Sequence, residues 1–150
     1  MADLTVKTSD SVTVSGRQYG NTHETTISGV NNVVHGFVDI PNASYFNLLA
    51  FDSAASQGFQ ELTNGALKYL RITNTDGSNP IFVSWGTNTG AGSPPHDLTN
   101  QEIPAGCSFV LFADDNDTAS SFTVTQNNLY RIALRATGGT AVADIFLASA

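Results

Sequence analysis

The sequence predicts an all-β fold: a single domain over residues 1–150, built as an antiparallel β-sandwich or jelly roll of about 8–10 short strands. Three observations support this prediction. Apolar residues alternate with polar ones along most of the chain, which is typical of strands with one buried face. Clusters of turn-forming residues separate the alternating segments. Charged residues make up only 13% of the chain, and Ser, Thr and Asn replace them, a composition that suits strand surfaces better than exposed helices.

In the first half of the chain, short alternating pairs at Leu4 and Val6 and at Val12 and Val14 predict the opening strands. Around residues 34–40 the alternation predicts two distinct strand faces. One face carries Val34, Val38 and Ile40, and the other carries His35, Phe37 and Asp39. The segment 45–51 is almost entirely apolar, so it is either a strand buried on both sides or the start of a short helix that reaches Ala54–Ser56.

The second half of the chain predicts a series of strands bounded by turn formers. They are Leu67–Thr75, Ile81–Trp85, Leu98–Ile103, Cys107–Ala113, Ser121–Thr125, Leu129–Ala136 and Ala141–Ala148. The turn cluster over 74–80 predicts a hairpin between the first two of these strands, and Gly138–Gly139 predicts a hairpin between the last two. In the last strand, alternation separates Ala143, Ile145 and Leu147 from Asp144 and Phe146.

Candidate catalytic and metal-binding patterns are incomplete. His23-Glu24 begins a zinc-protease pattern, but Ile27 stands where the second histidine is required. The acidic turn 114–117 carries several oxygen ligands that suit calcium, although it lacks the glycine and the distant glutamate of an EF-hand loop. A solvated hairpin tip is therefore the favoured interpretation of this turn. We assign no catalytic, cofactor-binding or metal-binding residue, and we expect a protein that is not an enzyme and needs no cofactor.

The charge balance restricts the classes of partner. The net charge is −7 and the pI is about 4.5, which argues against nucleic acid or an anionic membrane as the main partner, because both select basic surfaces. Cys107 is the only cysteine, so no intrachain disulfide can form, and we expect it to be a small buried hydrophobe. The chain start does not resemble a signal peptide, and we therefore expect synthesis in a cytoplasm without secretion.

The few basic residues offer one candidate interaction surface. Arg131 and Arg135 share a strand face, and Lys68 could join them in a basic stripe if strands 67–75 and 129–136 were neighbours. Two other arrangements remain open: the arginines pair with Asp144 across a hairpin, or they lie in solvent and contribute about 0–1 kcal/mol each. We add Trp85 to this candidate surface.

Three stretches of the second half resemble small virion structural proteins of tailed bacteriophages, cyanophages in particular. These stretches are Tyr69–Asp76 (YLRITNTD), Ile103–Phe112 (IPAGCSFVLF) and Ala141–Ala148 (AVADIFLA). The resemblance covers roughly the last 85 of the 150 residues. It implies a capsid decoration (cement) protein or a comparable head or tail component, with no catalytic residues to carry over. It further implies a homo-oligomer that binds the major capsid protein or other virion proteins, and a final location in the virion.

A carbohydrate- or receptor-binding β-sandwich module of a head or tail fibre is the alternative function. Aromatic side chains can stack on sugar rings, and the chain offers Trp85, Tyr19, Tyr45 and Tyr130 for that role. Trp85 shares its predicted strand face with Ile81 and Val83, however, which favours core packing over ligand stacking for this residue.

Overall fold

The computed structural model describes residues 2–51, 60–62, 67–87, 96–112 and 129–150. Every regular element in these ranges is a β-strand, which confirms the predicted all-β class. The strands are β1 (Ala2–Ser9), β2 (Val12–Val14), β3 (Arg17–Tyr19), β4 (Thr22–Val30), β5 (Asn32–Ile40), β6 (Phe46–Phe51), β7 (Gln60–Leu62), β8 (Leu67–Asn74), β9 (Ile81–Thr87), β10 (His96–Ile103), β11 (Ser108–Phe112), β12 (Leu129–Ala136) and β13 (Ala141–Ser149).

Two sheets pack face to face and confirm the predicted sandwich. One sheet has five strands in the order β10-β9-β12-β6-β7, and the other has four strands in the order β11-β8-β13-β5. Their strand pairs are antiparallel with one exception, since β7 runs parallel to β6. The short β7 therefore departs from the expectation of a purely antiparallel fold.

The core consists of aliphatic side chains from the facing sides of both sheets. The four-stranded sheet supplies Leu70, Ile72, Ile145 and Leu147, and the five-stranded sheet supplies Ile81, Val83, Ile132 and Leu134. Each of these side chains is fully buried. Val34 and Val38 pack against this cluster and Ile40 belongs to it, so the predicted faces of residues 34–40 are confirmed.

Residues Phe46–Phe51 form strand β6, so the strand alternative for this segment is confirmed over these residues. Its Leu48 and Leu49 are both fully buried and belong to the same core cluster. The register against β12 shifts at this point, between the pairs Asn47–Ala133 and Leu49–Ile132, so strict alternation of side chains is interrupted here. Burial on both sides of the strand stays a prediction. The other prediction, a helix reaching Ala54–Ser56, and the predictions for Ser121–Thr125 and the acidic turn 114–117 lie outside the described residues.

Both predicted hairpins are wrong. Strand β8 pairs with β11 and β13 in the four-stranded sheet, whereas β9 pairs with β10 and β12 in the other sheet. Strands β12 and β13 are likewise divided between the two sheets. The turn formers end each strand as predicted, but both connections cross from one sheet to the other, because the edges beside β8 and β13 are occupied by strands from elsewhere in the chain.

Asn74 fixes the connection between β8 and β9. Its side-chain amide donates hydrogen bonds to the carbonyl oxygens of Asn79 (2.9 Å) and Ile103 (3.0 Å), and its side-chain oxygen accepts one from the backbone N–H of Asp76 (3.1 Å). Asn74 is fully buried. A buried amide is tolerated because its hydrogen-bonding groups are satisfied, and here they tie the crossing turn to the end of β10.

The N-terminal strands form a separate two-stranded ribbon that leads into β5. Strand β1 pairs with β4, and β2 pairs with β3 at the far end. We call residues 2–30 the ribbon and residues 12–19 the ribbon tip. At the base of the ribbon, Leu4, Val6 and Ile27 pack against the sandwich. Residues 7–24 are all exposed, so this part of the ribbon extends beyond the sandwich.

Candidate functional site

The most distinctive surface of the described residues is the side of the four-stranded sheet that faces away from the core. The strand register arranges twelve residues of this side in three cross-strand rows, and we call them the outer face. The rows are Phe112, Tyr69, Ala148 and Val33; then Val110, Arg71, Phe146 and His35; then Ser108, Thr73, Asp144 and Phe37. Their sequence neighbours point inward, because side chains alternate along a strand.

The outer face exposes large hydrophobic side chains. Phe37 is 68% exposed, and Val33, Val110 and Phe112 are also exposed. Val33 and Phe37 lie on the edge strand β5, and Val110 and Phe112 lie on the opposite edge strand β11. Exposed apolar side chains grouped around polar ones are typical of interaction sites, so the outer face is the candidate binding surface.

An ionic cluster lies in the middle of the outer face. One Asp144 carboxylate oxygen lies 2.8 Å from Nε2 of His35, and the other accepts a hydrogen bond of 3.2 Å from Nη2 of Arg71. The Asp144 side chain is only 17% exposed, whereas those of His35 and Arg71 are more open to solvent. Partly exposed pairs of this kind contribute about 0–1 kcal/mol each to stability. Their main effect is to hold three side chains from three strands in one arrangement.

Aromatic contacts surround the ionic cluster. The Phe146 ring contacts the rings of Tyr69 and His35, with centroids 5.9 Å apart in both cases, and the Arg71 guanidinium carbon lies 5.7 Å from its centroid. The rings of Tyr69 and Phe112 also pack in a T-shaped arrangement, with their centroids 5.3 Å apart. Burial raises the pKa of the Tyr69 phenol, and the charge of Arg71 opposes that rise. These ring contacts join Phe112, Tyr69, Phe146 and His35, one from each of the four strands, into one packed group.

The ribbon base covers one end of the outer face. Leu4, Val6 and Ile27 of the ribbon pack in one apolar cluster with Tyr69, Phe146 and Ala148. The cluster leaves Phe37, His35 and Val110 exposed at the other end and along the edges. The outer face is therefore already a surface on which the apolar side of a β-ribbon is accommodated.

The predicted basic stripe does not form along neighbouring strands. Lys68 lies in β8 of the four-stranded sheet, and Arg131 and Arg135 lie in β12 of the five-stranded sheet. Arg135 places its guanidinium carbon 5.1 Å from the centroid of the Tyr45 ring. A role for any of these cations in binding stays a prediction.

The alternative that Arg131 and Arg135 pair with Asp144 across a hairpin is wrong, because β12 and β13 lie in different sheets and do not pair. Asp144 contacts His35 and Arg71 instead. Trp85 lies in β9 opposite Ile132 of β12, and the packing of its side chain falls outside what the structure describes.

The partial zinc-protease pattern and the single cysteine both lie on the surface. His23 and Glu24 are exposed in β4, a strand context as expected, and Glu24 forms an ion pair of 2.9 Å with Lys7. Within the described ranges, no group of three or more His, Cys, Asp or Glu side chains is arranged to hold a metal ion. The expectation for Cys107 is wrong, since this thiol is exposed at the turn before β11 rather than buried.

The outer face was not predicted from the sequence, although alternation separated His35 and Phe37 from the core residues of their strand. The same alternation places Asp144 and Phe146 on one side of β13. What was missing was the strand order, which brings these four residues together with Arg71 and Tyr69.

Comparison with protein-family models, with curated proteins and with solved structures found no match. Among the described residues, no helix is long and apolar enough to cross a membrane.

Proposed function

We propose that this protein is a non-enzymatic virion structural protein, a capsid decoration protein that binds other protein surfaces through its outer face and stabilises the particle. The observation that carries the proposal is the exposed apolar and aromatic surface around the ionic cluster of Asp144, His35 and Arg71. The proposal also draws on the resemblance of the second half of the chain to small phage virion proteins.

The chemistry of the outer face suits a protein partner. Interface centres that contribute most to binding are enriched in aromatic residues and arginine, and the outer face supplies Phe37, Phe112 and Arg71. A specific contact buries on the order of 800 Å² per partner. A protein repeated many times on a lattice needs only a modest affinity for each contact, because several contacts act together.

The charge of the chain supports the same class of partner. A net charge of −7 disfavours binding to nucleic acid, which depends on neutralising phosphates with lysine and arginine. We therefore expect the main partners to be the major capsid protein, other virion proteins and further copies of this chain.

The test is sedimentation of the purified protein with capsids that lack it. Phe37→Asp places a charge at the 68% exposed ring of the outer face, and we expect it to weaken binding about 30-fold, because losing an aromatic contact that is buried in an interface costs about 2 kcal/mol. Asn100→Asp is the matched control, since it adds the same charge at an exposed site of β10 in the other sheet. Equal binding by both variants would contradict the proposal.

Carbohydrate or receptor binding in a fibre remains the second candidate. The observation in its favour is the exposed Phe37 ring in the row beside His35, with the Asp144 carboxylate next to both. Aromatic stacking beside hydrogen-bonding groups is a common way to bind sugars. Glycan-array binding that Phe37→Ala abolishes and Asn100→Asp preserves would favour this candidate over a protein partner.

A further inference from the structure

The ribbon tip carries a second exposed apolar surface. Val12, Val14 and Tyr19 are each more than half exposed. Val12 lies opposite Tyr19, and Val14 lies opposite Arg17. Because residues two apart on a strand share a side, these four side chains occupy one side of the tip, whereas Thr13 and its partner Gln18 occupy the other side.

Beyond the ribbon base, the ribbon gains little stability from contacts with the sandwich of the same copy. Residues 7–24 are all exposed, and the tip strands pair only with each other in the described structure. An isolated two-stranded hairpin is marginally stable at best in water. A tip with an apolar side therefore gains most from a partner that covers that side.

Two surfaces account for the exposed large hydrophobic side chains among the residues whose side-chain burial the structure describes. Those at the tip are Val12, Val14 and Tyr19, and those on the outer face are Val33, Phe37, Val110 and Phe112. Both surfaces are present on every copy, in equal number. The outer face already accommodates the apolar side of its own ribbon base, where Leu4, Val6 and Ile27 pack on it.

We propose that the ribbon tip of one copy docks on the outer face of a second copy, and that two copies exchange tips reciprocally in a two-fold dimer. This inference rests on the proposed function in that it uses the same face and names a partner for it. The docked tip would continue the apolar packing that the partner's own ribbon base begins on that face.

Charge and reach both fit this arrangement. Arg17 is the only basic residue between residues 10 and 22, and it shares the apolar side of the tip. Asp39 offers an exposed carboxylate on β5, two residues from Phe37 and on the same side. From Val6 to Val14 the chain can span up to roughly 26 Å in extended conformation, so the tip can reach a surface well away from its own ribbon base.

Symmetry explains why reciprocal exchange is the expected form. A tip-to-face contact joins two different surfaces, so unreciprocated contacts would propagate into open chains or larger rings. When two copies exchange tips, both tips and both faces are used and the assembly closes. Each dimer then contains two equivalent contacts, which adds to its stability.

The first test measures the mass of the full chain by sedimentation equilibrium. We expect the wild-type protein to be a dimer and Val14→Asp to be a monomer. Thr13→Asp is the matched control, because it adds the same charge one residue away on the opposite side of the tip, and it should remain a dimer. A monomeric wild type, or equal effects of the two variants, would overturn the inference.

The second test is complementation between two impaired variants. Val14→Asp keeps an intact outer face, and Phe37→Asp keeps an intact tip. Each variant alone should be monomeric, but an equimolar mixture should form a mixed dimer through the one remaining tip-to-face contact, with weaker affinity than the wild type. Absence of a mixed dimer, when each variant keeps the wild-type unfolding temperature, would contradict tip-to-face docking.

Folding is checked on the same samples. Because residues 7–24 do not pack on the sandwich, Val14→Asp should leave the unfolding temperature of the sandwich unchanged after correction for loss of the dimer. If it does not, Val14→Ser replaces it in both tests with the same expected outcomes.

Failure of this inference can be distinguished from failure of the proposed function. A docked tip and the capsid compete for the same outer face, so Val14→Asp, whose face is not covered by a tip, should sediment with capsids at least as strongly as the wild type. Phe37→Asp should lose both capsid binding and self-association. A monomeric wild type that binds capsids in a Phe37-dependent manner would overturn tip exchange and leave the proposed function standing.

Discussion

Replacing Asn74 with alanine should weaken the connection between the two sheets. The buried Asn74 side chain makes three hydrogen bonds, two donated to the carbonyl oxygens of Asn79 and Ile103 and one accepted from the N–H of Asp76. These bonds join the end of β8, the turn that crosses between the sheets, and the end of β10. Alanine removes all three hydrogen bonds, so the carbonyl oxygens of Asn79 and Ile103 and the N–H of Asp76 lose their side-chain partner.

The expected loss of stability follows from these contacts. Each hydrogen bond contributes about 1 kcal/mol net, so the free energy of unfolding should fall by about 3 kcal/mol. For a chain of 150 residues, 1 kcal/mol corresponds to a change of about 2–4 °C in the unfolding temperature. We therefore expect Asn74→Ala to lower this temperature by about 6–12 °C.

Urea denaturation of three variants separates hydrogen bonding from packing. Asn74→Asp has nearly the same shape but loses both donors and buries a charge, so it should be at least as unstable as Asn74→Ala at neutral pH. Asn42→Ala, at an exposed site after β5, is the control and should change stability by less than about 0.5 kcal/mol. A loss below about 1 kcal/mol for Asn74→Ala would refute the assigned role of the three hydrogen bonds.

Three further predictions concern the ribbon, the outer face and the crossing turn. Gly20 has φ of 150°, and a Cβ there would overlap the backbone carbonyl oxygen of Asp10, so Gly20→Ala should speed amide hydrogen exchange in the ribbon tip while the sandwich keeps its protection. Asp144→Asn removes the carboxylate charge beside both Arg71 and His35, and denaturation should show a loss of no more than about 2 kcal/mol, because each of these two partly exposed pairs contributes about 0–1 kcal/mol. The backbone N–H groups of Asn79 and Ser78 hold the pKa of Asp76 below its ordinary value. The ionised carboxylate therefore stabilises the fold at pH values above the ordinary aspartate pKa, and this stabilisation is lost as the pH falls through the lower pKa of the folded state. Asp76→Asn should make the free energy of unfolding, measured by denaturation, fall less steeply at acidic pH.

Local patterns in the sequence were sufficient to locate most strands and their faces. Alternation at residues 34–40 correctly separated the core residues Val34 and Val38 from His35 and Phe37. The same reasoning separated Ile145 and Leu147, which prove to be core residues, from Phe146 on the other side of β13. These successes have a simple cause: the two-residue period of a strand is a property of neighbouring residues, so the sequence carries it directly.

Strand pairing could not be read in the same way. The turns at 74–80 and 138–139 end their strands as predicted, but the next strand joins the opposite sheet in both cases. A turn-forming residue ends a strand or reverses the chain, but it does not determine with which strand edge the next strand pairs. That choice depends on β11, β13 and β5, which lie far away in the sequence and occupy the edges that the predicted hairpins needed.

The sequence by itself determined the all-β class, the strand faces and an acidic chain whose candidate catalytic patterns are incomplete. Only the tertiary structure brought His35, Arg71 and Asp144 from three strands into one cluster and left the ribbon tip without a covering surface in its own copy. The physical reason is the separation along the sequence of the residues that determine each feature. Side-chain alternation acts between residues two apart. The outer face joins residues from distant parts of the chain, and His35 and Asp144, for example, are 109 residues apart. The packing of the whole core decides that such residues lie together.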